Sequence, residues 1–173
     1  MKTVRQRLSE DHHALGEVLD QLLAALANKD LSESYAKLDL FWARLAVHIR
    51  AEHLHLFPAI EAGVGALKPE LDGLRADHDF FMRVLAGAIG ILRELPGSIV
   101  TSGDEAKFAA VRETVREVEK RLATHDEIEE GQIYRWSSII LTQPEQLELL
   151  SRSNAELENR PPRFSADVWA SSL

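Results

Sequence analysis

The sequence of 173 residues contains no cysteine, which excludes disulfides, thiolate zinc sites and iron–sulfur clusters. It also lacks an apolar run of the roughly 20 residues that span a bilayer, and residues 1–8 carry too many charges for the apolar part of a signal peptide. The formal net charge of −8 disfavours a reader of nucleic-acid phosphates, since such proteins need a positive surface. We therefore expect a cytoplasmic domain with no nucleic-acid or membrane partner.

Glycine and proline are scarce, and they separate long segments rich in Ala, Leu, Glu and Arg, a composition typical of helices. The predicted helices occupy residues 3–28, 32–62, 69–95 and 104–141, with a weaker one at 144–158. Four long helices joined by short loops predict an all-α fold, an antiparallel up-and-down four-helix bundle. We expect residues 1–142 to form the bundle, and residues 143–173 to add a short helix and an extended tail that packs on it.

Each long helix carries a histidine at a position that helical periodicity assigns to the core. These histidines are His12, His48, His78 and His125. A glutamate follows two of them at the fourth residue, in the pairs His48/Glu52 and His125/Glu129, so that each pair shares one helix face. One such histidine is usually structural and one such pair is commonly a surface ion pair, but buried carboxylates are costly to leave unpaired. The joint pattern therefore predicts a metal site.

The number and type of these donors indicate which metal would bind. Four imidazoles and two carboxylates exceed the four ligands that zinc prefers, and they suit two iron or manganese ions. The order of the motifs also suggests an internal duplication, because each half of the chain supplies two histidines and one glutamate. An aromatic residue follows each glutamate, Phe57 in the first half and Tyr134 in the second.

Four fragments resemble the hemerythrin HHE cation-binding family. They are Glu10–Leu15, His48–Pro58, Asp77–Asp79 and His125–Glu130. The resemblance covers about residues 3–140 and implies a non-haem di-iron centre with an oxo or hydroxo bridge, for which zinc or manganese are possible substitutes. The implied ligands are His12, His48, Glu52, His78, His125 and Glu129, with the two glutamates bridging the irons.

The chain departs from the pattern of the oxygen-carrying hemerythrins at two positions. Met82 stands where they have a second histidine on the third long helix, and Glu130 stands where they have an aspartate on the fourth. Glu129 and Glu130 therefore compete for the bridging role, and helical phase favours Glu129. The missing histidine weakens the case for reversible oxygen carriage and leaves one iron with an open or water-filled position.

The other three histidines are less closely tied to the site. Helical phase favours His12 over the adjacent His13 as the inward residue, and His53 is expected to be exposed. His55 lies on the predicted ligand face, as a neighbour of the ligands or a replacement for one. A ferritin-like reading is an alternative, since Glu-x-x-His occurs at 10–13 and at 52–55, but the fourth helix has no such motif.

These residues predict a binding module rather than an enzyme. It would bind or sense a small ligand such as oxygen, nitric oxide or peroxide, or handle iron. The alternatives are a di-iron peroxidase, oxidase or nitric-oxide-protective enzyme, and a bundle whose polar core binds zinc or responds to pH. In the tail, Phe164 and Trp169 would anchor either a strap over the bundle or an interface with a partner.

Overall fold

The computed structural model describes residues 2–97, 99 and 101–159, and every regular element in this part of the chain is helical. The elements are α1 (Val4–Ala27), α2 (Leu31–Ala51), a π-helical turn π1 (Glu52–Leu56), α3 (Phe57–Gly63), a 3-10 turn (Gly65–Leu67), α4 (Lys68–Glu94), α5 (Ser102–Ile128), a second π-helical turn π2 (Glu129–Ile133), α6 (Trp136–Ile140) and α7 (Gln143–Glu158). The predicted all-α fold is confirmed. The predictions for Phe164 and Trp169 lie outside the described residues.

Local capping explains where two of the long helices begin. Thr3 precedes α1 and accepts a hydrogen bond from the backbone N–H of Gln6, whose side chain accepts one from the backbone N–H of Thr3 in return. Thr101 and Asp104 form the same reciprocal pair at the start of α5. Each pair satisfies backbone N–H groups that the first helical turn would otherwise leave without partners.

The long helices pack into a bundle with a shared core. α1 packs against α2 and α5, α4 packs against α2 and α5, and α7 lies against α1 and α2. The described helices include none that is both long and apolar enough to cross a membrane.

The bundle core contains two apolar layers with a polar layer between them. In α1, His12 separates Leu8, which belongs to one apolar layer, from Leu15, which belongs to the other. In α4, His78 separates Leu74 from Phe81 in the same way. The four core histidines therefore lie at one level of the bundle.

The π-helical turns begin at the two glutamates of the polar layer. The backbone N–H of Phe57 donates to the carbonyl of Glu52, and that of Tyr134 donates to the carbonyl of Glu129 at 2.8 Å. These bonds span five residues instead of the four of an α-helix, so each turn contains one extra residue. The helical phase that holds before each glutamate is consequently shifted after it.

Candidate metal centre

The structure brings the six residues of the predicted metal site together in the polar layer. All six are buried, with at most 8% of any one exposed. They are His12, His48, Glu52, His78, His125 and Glu129. Donor atoms of His12, His48, Glu52 and Glu129 lie within 4.8 Å of one another. Donor atoms of His78, His125 and Glu129 do so as well. Glu129 belongs to both donor groups, so the arrangement offers two adjoining places for a cation.

The imidazoles form two facing pairs. Nε2 of His12 lies 2.9 Å from Nε2 of His48, and we call these two residues the first pair. Nε2 of His78 lies 2.8 Å from Nε2 of His125, and these residues are the second pair. The two pairs correspond to the two halves of the sequence.

Each glutamate spans both imidazole pairs. Oε1 of Glu52 lies 3.5 Å from Nε2 of His48 in the first pair, and its Oε2 lies 3.4 Å from Nε2 of His78 in the second. Oε2 of Glu129 lies 3.3 Å from Nε2 of His12, and its Oε1 lies 3.1 Å from Nε2 of His125. Each carboxylate therefore directs one oxygen to each pair of imidazoles.

Aspartates orient one imidazole of each pair. Nδ1 of His48 lies 3.0 Å from Oδ2 of Asp11, and Nδ1 of His125 lies 3.2 Å from Oδ2 of Asp77. An ionised carboxylate only accepts hydrogen bonds, so Nδ1 carries the proton and the Nε2 lone pair faces the polar layer. A carboxylate behind the imidazole is the usual support of a metal-binding histidine.

The other imidazole of each pair has a different neighbour. Nδ1 of His12 lies 2.9 Å from Oε1 of Glu130, and Nδ1 of His78 lies 2.9 Å from Nε2 of His53. Glu130 therefore lies behind an imidazole and is 39% exposed, whereas Glu129 is fully buried between the pairs. Of the two competing glutamates, Glu129 is the one that faces inward.

The donors fit a metal ion because the described residues leave them unsatisfied. In the first pair both Nδ1 atoms face carboxylates, so two neutral rings would bring their Nε2 lone pairs together at 2.9 Å, a contact that a proton or a metal ion between them relieves. Oε2 of Glu52 and Oε1 of Glu129 are buried without a hydrogen-bond partner among the described residues. Buried polar atoms are rarely left in this state, since each costs about 1–3 kcal/mol. A cation with imidazole and carboxylate ligands would satisfy all of them.

The electrostatics favour protons on some imidazoles of the metal-free cluster, whereas burial lowers the pKa of His78 well below its usual range. Burial lowers the pKa of His125, but the Glu129 carboxylate at 3.1 Å outweighs it and raises that pKa to about 9. Burial likewise opposes charge on His48, yet the carboxylates of Glu52 and Asp11 raise its pKa well above the usual range. Bound metal needs neutral imidazoles, so metal and protons compete for these groups.

A small cavity of about 10 Å³ adjoins the cluster. It is lined by the four histidines together with Leu15, Leu45, Leu122, Asp126 and Glu129. Its volume is near the minimum that admits one water molecule. Met82 is half-buried and packs against the apolar layer formed with Phe81.

Three features of the site were not predicted from the sequence. The expected exposure of His53 is wrong, because π1 turns it toward His78. His55 was a candidate neighbour of the ligands, but its Nε2 instead lies 3.9 Å from Glu156 of α7. Tyr134 is fully buried, and its hydroxyl reaches the cluster. His13 has 83% of its side chain exposed, so His12 is the inward one of the two adjacent histidines.

The aspartates behind the imidazoles were also missed, although the sequence carries a signal for them. Asp-His occurs at 11–12 and again at 77–78, at corresponding places in the two halves. In both cases the aspartate supports the histidine of a different helix.

Comparison with models of protein families matches residues 3–137 to the hemerythrin HHE cation binding domain. That range contains all six residues of the cluster and both π-helical turns. No curated protein and no solved structure matched the chain in the two further comparisons.

Proposed function

Because the chain belongs to the hemerythrin HHE cation binding domain family, we propose that its buried His/Glu cluster holds two iron ions. The first pair of histidines would hold one ion and the second pair the other, with Glu52 and Glu129 bridging them. Bound iron would supply an electrophilic, redox-active centre at which a small ligand can bind. Manganese and zinc accept similar donors and are the competing occupants.

The observation that carries this proposal is the position of the two glutamates. Both are fully buried, and each directs one oxygen to each pair of imidazoles. A single tetrahedral zinc would use four donors and leave the rest buried without partners. Two ions would use all six side chains.

We propose that the natural ligand is as small as oxygen, nitric oxide or peroxide. The cavity beside the imidazoles is about 10 Å³, and three leucines line much of it. A larger substrate would not fit in this cavity. Binding or sensing of such a ligand, or iron handling, is therefore the role that we favour.

A di-iron enzyme is the second candidate, and Asp126 favours it. Its Oδ1 is buried without a hydrogen-bond partner among the described residues and lies 3.8 Å from Nε2 of His12. A carboxylate at the cavity can accept a proton from a ligand such as hydrogen peroxide. Peroxidase, oxidase or nitric-oxide-protective activity would need such a group.

The finer architecture is also part of the proposal. Short connections between consecutive long helices support the antiparallel up-and-down course, as between α1 and α2. The contacts of α7 with α1 and α2 support a bundle at residues 1–142 on which the segment from 143 onward packs.

Metal analysis of the aerobically purified chain tests the central claim. We expect about two irons per chain, with the iron removable by a chelator at low pH because protons compete for the imidazoles. Stoichiometric zinc without iron would contradict the proposal, and so would a chain that neither retains nor takes up iron.

Adding oxygen, nitric oxide or hydrogen peroxide to the reduced protein then distinguishes a carrier or sensor from an enzyme. Reversible binding favours a carrier or sensor, whereas catalytic consumption of the ligand favours an enzyme.

A further inference from the structure

The hydroxyl of Tyr134 lies among the donor atoms of the first pair. Its Oη is 2.5 Å from Oε1 of Glu52 and 3.0 Å from Oε2 of Glu129. It is also 3.0 Å from Nε2 of His12 and 3.5 Å from Nε2 of His48. These four atoms belong to the four residues of the first donor group. The Tyr134 oxygen therefore lies within 3.5 Å of a donor atom from every member of that group.

The separations match those of neighbouring ligands around one ion. Two donors that each lie about 2.1 Å from an ion and subtend a right angle are about 3.0 Å apart. The contacts of the Tyr134 oxygen range from 2.5 to 3.5 Å. The distance of 2.9 Å within the first pair is also of this size. Five donors at such spacing form a large part of an octahedral shell.

Among the described residues, the second pair has no counterpart to this oxygen. Phe57 follows Glu52 by five residues, as Tyr134 follows Glu129, and each aromatic residue comes directly after a π-helical turn. The ring of Tyr134 stacks on His12, with ring centres 5.6 Å apart, and the ring of Phe57 stacks on His78 at 6.0 Å. The two halves therefore place equivalent rings, but only one ring bears a donor atom.

We propose that Tyr134 is a seventh ligand, which binds through its phenolate oxygen the ion held by His12 and His48. This inference rests on the proposed function, since it assumes that the cluster holds iron. The hydroxyl proton, which Tyr134 donates to Glu52 in the metal-free cluster, leaves to solvent when the oxygen binds the ion. The other ion has one protein donor fewer, so it is the ion at which the small ligand binds.

The competing explanation is a tyrosine that only donates a hydrogen bond to a bridging glutamate. The two explanations differ in their optical spectra. A phenolate bound to iron(III) gives a visible charge-transfer absorption, and laser excitation in that band enhances the ring vibrations of the bound tyrosine in the Raman spectrum. A phenol that is merely hydrogen-bonded gives neither signal.

The experiment uses the full chain loaded with iron(III), and it compares wild type with Tyr134→Phe and Tyr35→Phe. The chain has two tyrosines. Tyr35 serves as the control because its hydroxyl accepts a hydrogen bond from Arg93 at the surface. We expect the tyrosinate absorption and Raman lines in wild type and in Tyr35→Phe, and their loss in Tyr134→Phe.

Several outcomes would overturn the inference. Iron-loaded wild type without tyrosinate lines would refute it, as would lines that persist in Tyr134→Phe or vanish in Tyr35→Phe. If Tyr134→Phe fails to hold iron, the Raman spectra of wild type and Tyr35→Phe still decide the matter. A wild-type chain that binds no iron would instead refute the proposed function itself, and metal analysis of the same samples identifies that case.

Discussion

Replacing Glu129 with glutamine should remove both metal sites while leaving the fold intact. Glutamine has nearly the same shape as glutamate, so the substitution preserves the packing of the polar layer. The change also removes a negative charge beside the buried carboxylate of Glu52, whose pKa is raised by burial and by Glu129. Because the Glu129 carboxylate also raises the pKa of His125 to about 9, metal-free Glu129→Gln should be less stable than metal-free wild type at neutral pH, and the Tm rise of each variant is therefore measured against its own metal-free form.

The size of the effect follows from the two donor groups that share Glu129. An ion present at 100 times its dissociation constant stabilises the native state by about 2.7 kcal/mol, so two ions contribute about 5 kcal/mol. For a chain of this length that corresponds to a rise in Tm of roughly 10–20 °C on metal binding. Glu129→Gln should reduce this rise to a few degrees, because neither ion keeps its shared bridge.

Glu130→Gln is the matched control, since it makes the same chemical change at the adjacent residue. Glu130 contacts only the rear nitrogen of His12 among the cluster imidazoles, and such outer contacts typically change metal affinity by about 10–100-fold. Thermal unfolding followed by circular dichroism, with and without chelator, measures the rise, and metal analysis accompanies each sample. The reasoning fails if Glu129→Gln keeps both irons and the wild-type rise, or if Glu130→Gln is the variant that loses both.

Three further predictions concern pH, packing and the support of the imidazoles. In the metal-free chain, the His125 pKa of about 9 exceeds the unfolded value of 6.5, so protonation of His125 adds about 3 kcal/mol to the free energy of unfolding below pH 6.5. This stabilisation is lost as the pH rises through 9, and urea unfolding at pH 6 and pH 9.5 should show the loss. Equal stability at the two pH values would contradict the prediction. Gly63→Ala should destabilise the protein, because a Cβ there would lie 2.5 Å from Cδ1 of Ile140. Gly90→Ala has open space around the new Cβ, so it should raise the free energy of unfolding by about 0.5–1 kcal/mol in the same urea assay. Asp11→Asn should weaken iron binding by about 10–100-fold in a competition titration with a chelator, and an unchanged affinity would show that the carboxylate behind the imidazole is dispensable.

Periodicity could identify the six cluster residues because each lies where its helix is still regular. From the start of α2 to Glu52, and from the start of α5 to Glu129, every turn follows the α-helical phase. Spacing by three or four residues therefore gives the correct inward face. The same rule fails after each glutamate, which is why the positions of His53 and His55 could not be predicted.

The two π-helical turns are the part of the site that composition and spacing did not reveal. Their hydrogen bonds depend on the groups that converge around Glu52 and Glu129 in three dimensions, and nothing in the adjoining residues is specific to a π-helix. Extra residues of this kind interrupt regular helices mostly at functional sites. Here each extra residue turns an aromatic ring, Phe57 or Tyr134, against an imidazole of the polar layer.

The repeated pattern in the two halves explains why the site can be nearly symmetric and still chemically unequal. Arg44 lies 3.5 Å from Asp11 and Arg121 lies 2.5 Å from Asp77, so the same outer ion pair supports one imidazole in each half. These supports, like the two glutamates, are alike on both sides of the polar layer. Tyr134 is one difference that reaches the donor atoms themselves, because the equivalent ring in the first half of the sequence has no hydroxyl. The two halves thus supply two similar groups of metal-binding side chains, and the proposed Tyr134 ligand would fill a coordination position at one ion that stays open for an external ligand at the other.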